Sequence, residues 1–114
     1  MKLINLTPHE VTIVDEDGNT LLAIPSSGVA RAAQRDVPAG SIETEGVVVP
    51  VVITEFGETD GLPEPTEEVA FIVSIITLNA AKAQGRSTAD LFITSGLVRD
   101  DKGQPIGCRA LARA

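Results

Sequence analysis

Three turn sequences constrain the fold of this chain, because each lies between two short runs of strand-forming residues. Asp15–Asn19 separates Val11–Val14 from Thr20–Ile24, and an Asp-Gly turn between such runs is typical of a β-hairpin. The turns at Glu45-Gly46 and Asp100–Gly103 predict two further hairpins in the same way. Their arms are predicted as Ser41–Thr44 with Val47–Thr54, and as Gly96–Arg99 with Gln104–Leu111.

Proline and glycine mark the other breaks between predicted strands. Thr7-Pro8-His9 predicts a bend, and Val37–Gly40 predicts a turn after a strand at Val29–Gln34. Pro50, inside a valine-rich run, predicts an edge strand or a β-bulge. Gly57–Glu68 contains two glycines, two prolines and five acidic residues, which predicts a long surface loop. A domain linker is the alternative, but the pieces on either side are too small to fold alone.

One helix is predicted between two strands. The apolar run Val69–Val73 predicts a buried strand, after which Ser74 can cap a helix that ends at Gly85. Asp90–Thr94 predicts the next strand, and its direction relative to the first is left open. The sequence therefore predicts one α+β domain over residues 1–114, built mostly from antiparallel β-hairpins with one main helix at about 74–84.

The charge distribution argues against a nucleic-acid-coating protein. The formal net charge is −7, and residues 1–74 carry 13 acidic against three basic side chains. Residues 75–114 carry six basic against three acidic side chains, so the C-terminal part is positive. Duplex nucleic acid is therefore not expected as a partner, whereas a small anion held by a few arginines fits this asymmetry. Only Phe56, Phe71 and Phe92 could stack on a base.

The sequence offers little for covalent, metal or cofactor chemistry. A single cysteine, Cys108, excludes an intramolecular disulfide and a multi-cysteine zinc site. His9 is the only histidine, and its spacing from Cys108 does not indicate a catalytic pair. The Asp15–Gly18 segment lacks calcium-loop spacing, and no phosphate-binding glycine motif occurs. We therefore expect no metal, no cofactor and no enzymatic activity.

No stretch of this sequence has the length and apolar character of a membrane helix or a signal peptide. No membrane partner is therefore expected. The expected setting is a reducing compartment such as the cytoplasm.

The arginines are the strongest candidates for binding. Arg109 and Arg113 are four residues apart, so they share a face whether the segment is a strand, where they lie roughly 13 Å apart, or a helical turn. Arg31 from another strand and Arg99 from the facing hairpin arm could join them. Planar guanidinium groups suit the oxygens of a pyrophosphate. The alternative is that these arginines only balance the acidic surface through ordinary ion pairs.

Several segments together resemble a family of small phage and prophage proteins, the Thoeris anti-defence sponges. The segments are INLTPHEVTI, IPSSGVAR, GLPEP followed by VAFIVS, and TSGLVRDDKGQPIGCRALA. The resemblance implies a protein that sequesters cyclic ADP-ribose isomers, which an immune system makes from NAD, without degrading them. Some family members also hold cyclic oligonucleotide signals at separate sites of a hexamer.

The resemblance also implies where such a ligand binds. It implies a homo-oligomer, a dimer or a trimer of dimers, in the host bacterial cytoplasm, with the ligand buried between subunits. Arg109 and Arg113 match the C-terminal arginine pair of the family, and Arg31 matches the arginine after the Ser-Gly turn. Phe71 and Asn79 are proposed for the adenine, and Arg99 is an additional candidate for the phosphates. A virion or assembly module and a small hydrolase of the same signals are the competing hypotheses.

Overall fold

The computed structural model describes residues 1–113, in which there are eight strands and one helix. In chain order they are β1 (Lys2–Asn5), β2 (Val11–Val14), β3 (Thr20–Ile24), β4 (Arg31–Thr44), β5 (Val47–Asp60), β6 (Val69–Ile72), α1 (Ile75–Ala83), β7 (Leu91–Arg99) and β8 (Pro105–Ala112). Six strands form one sheet in the order β1-β6-β7-β8-β2-β3, and β4 and β5 form a separate two-stranded ribbon. The predicted α+β class is confirmed, since the structure contains three antiparallel hairpins and one helix.

The sheet is mixed, because three of its pairings are parallel. β6 runs parallel to β1 and to β7, and β2 runs parallel to β8. Successive side chains of a strand point to opposite faces, so Phe71 and Ile72 of β6 enter two different core clusters. Phe71 packs under α1 with Leu78 and Leu91, whereas Ile72 packs on the other face with Val11 and Cys108. The direction of β7 relative to β6, left open by the sequence, is thus parallel.

The two edges of the sheet approach each other at Asn5. The backbone of Asn5 bridges to Ser26, just beyond β3, and the Ser27 N–H donates to the Asn5 carbonyl at 2.9 Å. The fully buried Asn5 amide donates to the carbonyl oxygens of His9 (2.7 Å) and Ile24 (3.0 Å), and its oxygen accepts from Thr7 N (2.9 Å) and Thr7 Oγ1 (2.6 Å). The sheet therefore curls toward a closed barrel, with Asn5 satisfying the polar backbone groups at the seam.

The helix begins and ends where the sequence predicts. Ser74 is the N-cap, and its hydroxyl accepts a hydrogen bond from Thr77 N at 3.2 Å; the helix ends at Ala83, just before Gln84 and Gly85. Thr77 is buried and donates to the Ala30 carbonyl at 3.1 Å, which ties the helix to the start of β4. Within residues 1–113, no helix is long and apolar enough to cross a membrane.

The ribbon of β4 and β5, which we call the arm, differs from the prediction. Val37–Gly40 is not a turn, because β4 runs through it to Thr44. One extra residue is absorbed by a register shift between Pro38 and Ser41, where Gly40 has a φ of +105°. A bulge with glycine in that conformation continues a strand that the sequence pattern alone would break.

Two other predicted boundaries are wrong for similar reasons. The predicted loop Gly57–Glu68 is shorter, because β5 extends to Asp60 in pairing with Arg31. Gly61 then turns the chain with a φ of +78°, and a Cβ there would lie 2.8 Å from the Val29 carbonyl. The strands predicted at 90–94 and 96–99 are one continuous strand, β7.

Candidate functional site

The two C-terminal arginines lie where the sequence predicts, on and just after the strand β8. Arg109 is exposed, and its Nη2 donates to the Glu16 carbonyl in the β2–β3 turn at 3.3 Å. Arg113 follows the last residue of β8, and its guanidinium lies 5.3 Å from the centroid of the Phe92 ring. A guanidinium at this distance makes a cation–π contact and leaves N–H groups free to donate elsewhere.

The four candidate arginines are not the ones that make ion pairs. Among residues 1–113, the arginine ion pairs are the exposed Arg35–Glu55 pair and the Arg86–Asp90 pair. Arg31, Arg99, Arg109 and Arg113 have no carboxylate within 4.0 Å in this part of the chain. The hypothesis that these arginines only balance the acidic surface through ion pairs is therefore not supported in a single copy.

Arg86 has a structural role that the sequence did not reveal. Its guanidinium makes two hydrogen bonds to the carboxylate of Asp90, at 2.9 and 3.0 Å, and the side chains are only 14% and 13% exposed. It also donates to the carbonyl oxygens of Pro63 and Ser87, both at 2.7 Å. Arg86 thus fixes the loop before β6 against the segment that enters β7.

The remaining candidates do not join Arg109 and Arg113 in one cavity. Arg31 starts the arm next to the helix, and Asn79 is exposed on the helix itself. Arg99 donates to the Gly103 carbonyl of its own turn at 2.9 Å. Neither of the two principal cavities of the described chain is lined by any of the six candidate residues. In one copy, neither of these cavities therefore brings the candidate residues together.

Phe71 is a correction to the candidate list. It is 2% exposed and packs between α1 and the sheet, so it cannot stack on an adenine in this structure. An aromatic residue in an apolar run can be either an exposed stacking ring or a buried core residue, and the sequence does not distinguish the two. In the structure both faces of β6 are covered, so the Phe71 ring is buried. Phe92, already under Arg113, and the exposed Phe56 are the remaining aromatic rings.

A groove beside the helix was not predicted from the sequence. Its volume is about 670 Å³, within the size range of small-molecule sites, and it lies at the start of α1. It is mostly apolar, and its lining includes Thr7, His9, Ser74, Leu97, Ile106 and Cys108. These residues come from four segments of the chain, so no local motif could have indicated the groove.

His9 and Cys108 both line this groove, so the state of the Cys108 thiol bears on whether it could act as a nucleophile. Burial raises the pKa of the Cys108 thiol, and the side chain is 1% exposed. A raised pKa disfavours the thiolate that a nucleophilic cysteine needs. Among residues 1–113 no hydrogen bond joins the two side chains, and no three His, Cys, Asp or Glu residues are grouped as metal ligands. Cys108 is therefore a small apolar core residue.

Comparison of the whole chain with protein-family models, with curated proteins and with solved structures found no match.

Proposed function

We propose that this protein is a phage anti-defence protein that binds and sequesters cyclic nucleotide immune signals without degrading them. The proposed ligands are glycocyclic ADP-ribose isomers, with cyclic oligonucleotides as a second class, and the proposed setting is the host bacterial cytoplasm. The observation that carries the proposal is that Arg109 and Arg113 are exposed and have no carboxylate partner within residues 1–113, with Arg113 seated on Phe92. Guanidinium groups suit phosphate oxygens, and the Phe92 ring suits a base.

The proposed site is shared between copies of the chain in a homo-oligomer, a dimer or a trimer of dimers. Arg31 and Asn79 lie on the helix side, whereas Arg99, Arg109 and Arg113 belong to β7, β8 and the residue after it. In one copy, neither of the two principal cavities is lined by these five residues. A complete pocket therefore requires a neighbouring copy. A ligand enclosed in this way would be protected from solvent and would dissociate slowly.

Calorimetry tests this proposal with glycocyclic ADP-ribose isomers, alongside NAD and linear ADP-ribose. We expect a cyclic isomer to bind with a Kd below about 10 μM, roughly 7 kcal/mol of binding free energy. Ligand recovered after denaturing the protein should be chemically unchanged, whereas a hydrolase would release a product. Failure of every isomer to bind below this concentration would reject the proposal.

Substitution of the two C-terminal arginines gives the sharper prediction. Arg109→Ala and Arg113→Ala should each weaken binding by roughly 10–100-fold, because each removes a charge-assisted hydrogen bond to phosphate. The melting temperature should hardly change, since exposed charges add little stability. Lys102→Ala is the matched control, because it removes one exposed positive charge from the β7–β8 turn and should leave affinity unchanged. A large fall in melting temperature with retained binding would show that the arginines are structural.

The second candidate function is a virion or assembly module, and the exposed aliphatic side chains of the arm favour it. This hypothesis predicts that the protein is present in purified virions at stoichiometric amounts. If the protein is absent from virions and binds a cyclic nucleotide tightly, sequestration is the better supported function.

A further inference from the structure

The groove at the start of α1 forms where two parallel strands begin. β2 and β8 pair at Ile13 and Cys108, and the residues before this pair on both strands line the groove. Gly107 lets the two strands approach closely, because a Cβ there would lie 2.8 Å from Val14 Cγ1 and 3.1 Å from the Thr12 carbonyl oxygen. Residues of the bend before β2, of β7 and of the helix start complete the walls. The groove is therefore present in a single copy of the chain.

The walls of this groove are aliphatic and accessible. Three large side chains that line it are about half exposed: Ile75 at 57%, Leu97 at 50% and Ile106 at 49%. They come from α1, β7 and β8, so three elements turn apolar surface toward one cavity. The groove also reaches the buried Val73 and Cys108. A ligand that covers such walls gains about 25 cal/mol for each Å² of apolar surface removed from water.

The charge of the groove restricts the class of ligand. Glu10 lines it, whereas no lysine or arginine of the described residues does. Glu10 is exposed, and its carboxylate makes no ion pair within residues 1–113. The surrounding N-terminal part of the chain is also acidic, with 13 acidic against three basic side chains in residues 1–74. A negatively charged ligand is therefore repelled from this groove, and a positively charged one is attracted.

The other polar groups of the groove leave hydrogen-bond acceptors free. Thr12 and Thr94 are half-buried, and their hydroxyl groups are reachable and make no hydrogen bond to the part of the chain that the structure describes. The Ser74 hydroxyl, by contrast, is already bonded to Thr77 as the helix cap. A hydroxyl oxygen can accept a hydrogen bond, and an ionised carboxylate can only accept. A purely apolar ligand would leave these groups without a partner, whereas a ligand rich in donors would satisfy them.

We propose that this groove binds a small organic amine, with its apolar body against the aliphatic walls and its ammonium group beside Glu10. An ammonium group has three donors and no acceptor, which complements the carboxylate and the free hydroxyl groups. Because Glu10 is exposed, the ammonium group keeps part of its hydration and avoids the full cost of burying a charge. None of the candidate arginines lines the groove, so this site is separate from the proposed anion site.

Fluorescence titration with three naphthalene compounds tests the ligand class, because they share one ring system and differ in charge. The protein contains no tryptophan or tyrosine, so naphthalene emission is measured with little protein background. Naphthylethylamine should bind with a Kd below about 200 μM. The neutral naphthylethanol should bind about 3–5-fold more weakly, and naphthylacetate at least about 10-fold more weakly. Equal binding of the amine and naphthylacetate, or no saturable binding of the amine up to about 1 mM, would overturn the proposal.

Two pairs of substitutions locate the bound amine. Glu10→Gln keeps the shape of the side chain and removes its charge, so it should weaken amine binding about 3–5-fold without weakening naphthylacetate. Glu43→Gln, which removes an exposed carboxylate from the arm, is its control and should change neither. Leu97→Ala removes aliphatic wall and should weaken the amine and the alcohol about 5–10-fold. Its control is Leu22→Ala on β3, because Leu22 is 54% exposed and does not line the groove.

The four substitutions change exposed side chains, so all four variants should keep the melting temperature of the wild type within about 3 °C. If either groove variant bound the amine as tightly as its control, the amine would be bound elsewhere and the proposal would be wrong. None of the three compounds carries a phosphate, so the result is separate from that of the proposed function.

Discussion

Replacement of Phe71 by alanine is expected to lower the free energy of unfolding by about 3–5 kcal/mol, the usual cost of removing a buried ring. Phe71 is 2% exposed and lies between α1 and the sheet, where it belongs to the cluster that contains Leu78 and Leu91. The surrounding side chains can collapse only partly into the space left behind. For a domain of this size, the melting temperature should fall by roughly 10–20 °C, which calorimetry or circular dichroism measures.

The matched control for Phe71→Ala is Phe92→Ala, because Phe92 is half-buried and under Arg113. Phe92→Ala should cost less stability than Phe71→Ala. Under the proposed function it should also weaken ligand binding, whereas folded Phe71→Ala should still bind. If Phe71→Ala lost ligand binding and melted within about 3 °C of the wild type, its placement as a core residue would be wrong.

Asn5→Leu should have the second large effect, a loss of about 3–4 kcal/mol of unfolding free energy. The substitution keeps a similar branched shape but removes all four hydrogen bonds of a side chain with 0% exposure. It leaves the carbonyl oxygens of His9 and Ile24 without this donor at the seam of the sheet. A buried polar group without its partner costs more than the average net hydrogen bond contributes.

Urea unfolding provides the measurement for Asn5→Leu, with Asn79→Ala as the control. Asn79 is exposed on the helix, so its replacement by the best helix former should be neutral or slightly stabilising. Equal unfolding midpoints for the two variants would show that the amide of Asn5 does not hold the seam together. A changed slope with urea concentration would instead indicate that the unfolded ensemble had changed.

Local chemistry made part of the fold predictable. The hairpin of β2 and β3 and the caps of the helix follow from neighbouring residues, such as Gly18 in the turn and Ser74 at the N-cap. The continuous arm was not predictable, because a bulge between Pro38 and Ser41 depends on the opposite strand. The bridge between Asn5 and Ser26 was likewise hidden, since it joins distant parts of the chain.

The candidate site was predictable to a similar degree. The sequence predicted that Arg109 belongs to the last strand, and the structure has it exposed on β8. Composition could not show which arginines make ion pairs. The ion pair between Arg86 and Asp90 was found only in the structure. Phe71 shows the same limit, because its burial depends on a helix and a strand that come after it in the chain.

The order of strands in the sheet has a consequence for synthesis on the ribosome. β2 pairs with β8 and β1 pairs with β6, so the first strands of the chain find their neighbours among residues made much later. The long stretches of chain between these paired strands are entropically costly to close into loops. Folds dominated by such non-local contacts fold slowly. The nascent chain can form the β2–β3 hairpin early, but the edge of β2 that pairs with β8 stays exposed until residues 105–112 emerge. Chaperone dependence during translation should therefore be concentrated in the interval before β8 is available.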